Sequence, residues 1–312
     1  MRTILVAAVA LLATNVWAAY PDKPIKIIVP FAAGSGTDVV ARATGDALSK
    51  RMGVAVTVEN IAGADGAAGT AAVVKAAPDG HTLLATSNAL TTTPHLAKTA
   101  TYDPVKDLVP VARIAVIPMV LVTGEKSRFK SFDDLVAAMR QEPGKVRYAT
   151  SGRGALNNLE VALMNHHLKV QAQQQPHKSA RDALAATAAG EADFFLSNLP
   201  MALAQLNKGS LRALAVTSSA RVERMPAVPT LAEATQRPGY EAIVWFGMLA
   251  PAGTSSQVLT RLENEIEREL EVPAVRARIE AVGGQVAFQR SAPFGGRIKL
   301  DYGKWGFIKA QQ

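Results

Sequence analysis

The 312-residue sequence contains no cysteine. That excludes a disulfide framework, a thiolate metal site and a cysteine nucleophile, so the fold must rest on an ordinary apolar core. Aromatic residues make up only 5% of the chain, too few for a sugar pocket built on stacked rings. The net charge is +8, yet lysine and arginine are dispersed, with no basic run and few aromatics between them. A nucleic-acid surface is therefore excluded. The charge can still draw anionic solutes, screened over roughly 10 Å at 0.1 M salt. After the first twenty residues no apolar stretch reaches the roughly 20 residues needed to span a bilayer, and the mature chain is expected to be soluble.

Catalytic constellations are also missing. His81, His95, His166, His167 and His177 show no HExxH-type spacing, and there is no GxSxG elbow. No metal, no cofactor and no enzymatic activity are expected.

What is present begins with an export signal. Arg2 precedes an apolar run from Ile4 to Ala13, and Val16-Trp17-Ala18 places small residues where signal peptidase reads them, before Ala19. Residues 1–18 thus read as a cleaved signal peptide and the mature protein as periplasmic.

Beyond Pro24 the pattern alternates. Ile25–Val29 reads as a buried strand, Thr37–Met52 as a helix, Val54–Val58 as a strand, Ala67–Ala77 as a helix and Thr82–Ala85 as a strand. The order repeats with strand Met119–Thr123, helix Ser131–Arg140, strand Val146–Thr150 and helices Leu156–Leu168 and Arg181–Ala189. Strands Asp193–Leu196, Leu211–Thr217 and Val244–Leu249 follow, then helix Ser256–Leu270 and a terminal helical stretch over Phe294–Ile308. This is an α/β chain with parallel sheets. No linker separates the halves. Two lobes are predicted, 19–120 plus 244–312 and 121–243, with Met119–Thr123 crossing out, Ala242–Leu249 crossing back and a cleft between.

Two segments share one grammar. Val29-Pro30-Phe31-Ala32-Ala33-Gly34-Ser35-Gly36-Thr37-Asp38 runs from strand through a Gly-rich turn into a helix. Ligands in such sheets sit beyond the carboxyl ends of the strands. Gly34 and Gly36 permit close backbone approach, the free N–H groups of the helix start form an anion socket, and Ser35 or Thr37 can cap or donate. A plain capped turn would read the same way. Tyr148-Ala149-Thr150-Ser151-Gly152-Arg153-Gly154-Ala155 repeats the arrangement in the other lobe. Two sockets make opposing jaws on one anion, each charge-assisted contact contributing on the order of 1.5–3 kcal/mol. Ser87 and Asn88, within Thr86–Thr91, fall where the distal end of a ligand would be read; a polar turn before a helix is the alternative.

Several signatures together resemble the Bug family, periplasmic receptors of tripartite tricarboxylate transporters. They are Tyr20-Pro21-Asp22-Lys23-Pro24, Gly34-Ser35-Gly36-Thr37-Asp38, Val58-Glu59-Asn60, Ala76-Ala77-Pro78-Asp79-Gly80 and Tyr102-Asp103-Pro104. Leu211–Thr217, Val228-Pro229-Thr230, Trp245-Phe246-Gly247, Leu249–Thr254 and Lys304-Trp305-Gly306 extend the likeness over nearly the whole mature chain. The resemblance implies a type II periplasmic-binding-protein fold, two α/β lobes joined by two crossover strands that close like a Venus flytrap. It implies a ligand carboxylate held by Ser35, Gly36, Thr37 and Asp38 in one lobe and by Ser151, Gly152, Gly154 and Ala155 in the other, with Ser87 and Asn88 lining the distal pocket. The implied partners are a small carboxylate and, transiently, integral-membrane transporter subunits, with the receptor itself a monomer. A sensor presenting its closed form to a signalling partner is the alternative. Ala155 lacks the hydroxyl usual in the family, and Arg153 adds a cation beside the second jaw. Ser197-Asn198 stands where the family often has Asp-Asn.

Overall fold

The computed structural model describes residues 20–97, 99–152 and 154–306. The signal segment and Arg153 lie outside the described residues, as does the tail after Gly306.

The first half alternates as its pattern dictates: β1 (Ile25–Val29), α1 (Gly36–Met52), β2 (Val56–Asn60), α2 (Ala67–Val74), β3 (Thr82–Ser87) and α3 (Ala89–Leu96). The long β4 (Leu108–Gly124) follows. The second half contains α4 (Phe132–Gln141), β5 (Arg147–Thr150), α5 (Leu156–Leu168), β6 (Gln173–Pro176) and α6 (Ala180–Ala189). It continues with β7 (Phe194–Asn198), α7 (Leu199–Asn207), β8 (Leu211–Val216) and α8 (Leu231–Thr235). The chain then returns through β9 (Ile243–Pro251), α9 (Ser256–Glu269), α10 (Pro273–Ala281), β10 (Gln285–Arg290) and α11 (Ser291–Lys304). Side-chain caps start many helices: Ser35, Ser131, Ser179, Thr230 and Ser255 each accept from an N–H in the first turn.

One strand ties the two sheets together. Leu108–Pro118 of β4 pairs with β9, extending the order β2-β1-β3-β9-β4, while Met119–Gly124 pairs with β7 and β8. The handover is sharp. Pro118 is the last β4 residue opposite β9, facing Ile243, and Met119 is the first opposite β7, facing Asn198. Thr217 stitches this point: its N–H donates to Met119 O at 3.0 Å, its Oγ1 accepts from Met119 N at 2.9 Å, and its carbonyl accepts from Ala242 N at 3.0 Å. The apolar core divides along the same line. Leu48, Leu83, Ile114 and Ile266 belong to one cluster, and Phe132, Leu135, Phe194 and Leu196 to another.

The strand read as Met119–Thr123 is thus the distal third of a much longer element, buried on both faces over most of its length. One element near the site was not anticipated, and another entered only as an alternative. β6 is glutamine-rich and ends in Pro176, tolerable because it is an edge strand paired only with β5. Helix α3 contains three threonines and Pro94. Pro94 cannot donate to the carbonyl four residues earlier, Leu90 O, and Tyr102 OH donates to it instead at 3.2 Å. That contact lets a helix persist where propensity argues against one.

Candidate functional site

The carboxyl ends of the parallel strands in both sheets face the crossover. β3 ends with Ser87 opposite Phe246 of β9, and β7 ends with Asn198 opposite Met119 of β4. β1 runs parallel to β3, and β5 parallel to β7. The loops that follow β1 and β5 therefore lie on the crossover side of their sheets, where such sheets bind ligands.

In the first loop Gly34 adopts φ +81°, a conformation that favours glycine. Ser35 caps α1, its Oγ accepting from Asp38 N at 3.3 Å. Asp38, only 3% exposed, spends its carboxylate inside the protein. Its Oδ2 accepts from Gly34 N at 2.8 Å, its Oδ1 from Asn60 Nδ2 at 2.8 Å, and Arg42 Nε lies 3.0 and 3.1 Å from the two oxygens. Asn60 also donates to Phe31 O and accepts from Arg42. Burial opposes ionisation of Asp38, but the hydrogen bonds from Arg42, Gly34 and Asn60 outweigh it and hold the carboxyl below its ordinary range. The acid thus fixes the loop, while the N–H groups of Gly36 and Thr37 donate to no acceptor among the described residues. Two such amides at a helix start are the kind of donors that anions accept from.

The second loop is braced by asparagines. Thr150 Oγ1 accepts from Gly152 N at 3.2 Å and lies 3.1 Å from Asn157 Oδ1, while Asn157 Nδ2 donates to Ser151 Oγ at 3.0 Å. Gly152 takes φ +139°. Ala155 is the N-cap of α5 and supplies no side-chain cap. Tyr148 OH donates to Asn158 Oδ1 at 2.8 Å, locking the next turn to β5.

A cavity of about 180 Å³ lies between the halves, lined by Ser87, Asn88, Thr92, Gly154, Leu156 and Val244 among others. It joins the predicted distal residues Ser87 and Asn88 to Gly154 of the second loop. The first loop is not in its lining. Gly36 instead abuts Phe246, whose ring Cζ would stand 3.3 Å from a Cβ at that position. Phe246 and Val244 share one face of β9, because alternate residues of a strand point the same way. Asn88 is 5% exposed, and its amide bridges β9: Oδ1 accepts from Trp245 N at 2.8 Å and Nδ2 donates to Ile243 O at 3.1 Å. Val244 and Leu156 had no sequence signal, because an apolar cleft residue looks like a core residue, and Thr92 read as one of three threonines in a row.

A larger cavity of about 740 Å³ is lined by Arg113, Pro118, Pro200, Ile243 and Gly283 with others, and by none of the predicted site residues. Ile243 points opposite to Val244, so this cavity occupies the other face of the crossover. Size alone does not make it the site, since no residue of either Gly-rich loop lines it.

Two α/β halves joined through one continuous strand, with a cavity between them, have the architecture of a solute-binding clamp. Solved structures agree. A TctC solute binding protein from Polaromonas, crystallised with no ligand, superposes with a TM-score of 0.87 at 25% identity, covering 94% of this chain and 100% of that one. MatC from Rhodopseudomonas palustris with bound malate gives a TM-score of 0.67 at 28% identity, covering 93% of this chain and 100% of that one. The fold is that of a type II periplasmic binding protein.

The tripartite tricarboxylate transporter family receptor model, TctC, matches residues 40–306. Protein BugT of Bordetella pertussis is 37% identical over 270 residues, 86% of this chain and 82% of that protein. The chain belongs to the TctC family of periplasmic receptors, which bind solutes and are not enzymes.

Proposed function

We propose that this protein captures a small carboxylate between its two halves and delivers it to the membrane subunits of a tripartite tricarboxylate transporter, acting as a monomer. The observation that carries the reading is the pair of uncapped or half-capped helix starts, at Ser35–Thr37 of α1 and Gly152–Ala155 of α5, at strand ends on the crossover side of the two sheets. One carboxylate reaching both sockets would draw the bodies 19–120 plus 244–312 and 121–243 together. Malate in a structural relative supports the ligand class. The small cavity favours a compact solute, being below the roughly 300 Å³ at which typical ligand pockets begin. Ser87, Thr92 and Val244 then read the end of the solute distant from the carboxylate. Asp38 takes the role of fixing the first jaw, and Arg153, beside the second, is offered as a cation for a more anionic solute.

The test is native mass spectrometry of the freshly purified protein, then a thermal-shift screen of mono- and dicarboxylates. A ligand at 100 times its Kd stabilises the folded state by about 2.7 kcal/mol. Gly36→Val, which drives a branched side chain against Phe246, should abolish that shift while leaving the protein folded. No shift across the panel overturns the carboxylate reading, and normal binding by Gly36→Val displaces the first jaw.

A further inference from the structure

The C-terminal helix grips both halves. Phe294 of α11 packs edge-on against Trp245 with ring centroids 5.1 Å apart, and Ile298 joins the same cluster with Leu249. Those contacts anchor the start of α11 on β9. Its end lies elsewhere: fully buried Trp305 packs with Leu159 and Leu163 of α5, together with Leu96 of α3. A helix rooted on one sheet thus ends against the helix that carries the second Gly-rich loop.

Charges follow the same path in strict alternation. Glu241, just before β9, pairs with Arg297. Arg297 Nε lies 3.0 Å from Asp301 Oδ2, which also accepts from Trp245 Nε1 at 2.9 Å. Lys304 Nζ lies 3.4 Å from Asp301 Oδ1 and 2.7 Å from Glu160 Oε1 on α5. Glu160 is 2% exposed, and its other oxygen is buried without a partner. Burial pushes the Glu160 carboxyl up, and Asp301 adds to this, while Lys304 and Arg297 pull it back. An acid placed there at the expense of its hydration is held by direct contact with Lys304. Lys304 also sits 4.5 Å from the Trp305 ring centroid.

We propose that Lys304 and Glu160 are positioning residues that fix the jaw helix α5 at one distance from the opposite half. The crossover itself is two strands meeting at Pro118 and Ile243, stitched by Thr217. The pair adds a side-chain link from α11 to α5 that the strands do not supply. The proposal rests on reading the α5 start as a jaw, but its test needs no ligand, so the two can fail separately.

The absence of cysteine makes the experiment direct. Spin labels at Lys50→Cys on α1 and Lys145→Cys before β5, both exposed, report the separation of the halves by electron–electron dipolar spectroscopy. The unliganded mature protein should give one narrow distance distribution. Lys304→Met keeps the aliphatic stem and lets Glu160 take up a proton, so it should fold; Glu160→Gln keeps the shape and removes the charge. Each is expected to widen the distribution at least twofold. Arg278→Ala, which breaks the Arg278–Asp46 pair within the first half, should leave it unchanged. Unaltered width in Lys304→Met, with circular dichroism of the parent, overturns the proposal whatever Glu160→Gln does. Equal widening in Arg278→Ala also overturns it, since the effect would then be general loosening.

Discussion

Asp38 Oδ2 accepts a hydrogen bond from Gly34 N at 2.8 Å, so the acid of the Gly-Ser-Gly-Thr-Asp segment closes its own loop from within. Asn60, arriving from the end of β2, and Arg42, one turn along α1, complete the cage around that carboxylate.

Asp38→Asn keeps the size of the side chain but discards the charge that three donors share. Leaving buried donors poorly satisfied costs on the order of 1–3 kcal/mol. The expected result is a loss of about 2 kcal/mol in urea unfolding and a roughly tenfold weaker solute, read by isothermal titration. Parental stability would mean that the cage does not fix the loop.

The same group sets a pH dependence. Its folded pKa is depressed, so its contribution is present above the unfolded value, about 3.9, and is lost as pH falls through the folded one. Stability of the parent should therefore fall more steeply below about pH 4 than that of Asp38→Asn, and the two curves should converge in acid. Thermal unfolding between pH 3 and 7, sampled in about half-unit steps, checks the sign. Parallel curves would assign the acid sensitivity to other carboxylates.

Asn88→Ala removes both hydrogen bonds from β3–α3 to the returning strand, stranding the buried Trp245 N–H and Ile243 carbonyl. The cost should be about 2–6 kcal/mol, at 1–3 for each of the two groups left unpaired. Amide exchange localises the effect: protection at Trp245 should drop more than at Ile27, deep in the first sheet.

Two glycines near and on α11 should respond oppositely. A Cβ at Gly247 would stand 2.4 Å from Phe294 Cζ, so Gly247→Ala must displace the start of α11, at about 1–3 kcal/mol. At Gly296, inside α11, a Cβ meets nothing within 4 Å, and Gly296→Ala should stabilise by about 0.5–1 kcal/mol through helix propensity. Differential scanning calorimetry of the two variants decides both signs.

Much of the fold was legible because the signals are local. Leu156–Leu168 matches the observed helix to the residue, and the starts at Ser131 and Ser256 are kept as the N-cap of α4 and the first residue of α9. Helix α3 entered only as the alternative to a ligand-reading turn, because the Tyr102 hydroxyl, which satisfies the carbonyl that Pro94 abandons, comes from beyond the helix. Both Gly-rich loops could be read as sockets, since a strand running into a glycine turn and a helix exposes N–H groups wherever it occurs. Their surroundings could not be read. Asp38 carried the same sequence signal whether it faced a solute or its own loop, and only Asn60 and Arg42 distinguish the two.

The sequence by itself determined the alternation of strands and helices, the absence of thiol chemistry and the chemical character of each loop, because these depend on periodicity, composition and a few neighbouring dihedrals. Tertiary structure decided what those loops meet. Asn88 reaches a carbonyl 155 residues away and Lys304 a carboxylate 144 residues away. Such pairs depend on strand order and register, which are set by burying the whole apolar core at once, and no local pattern records them.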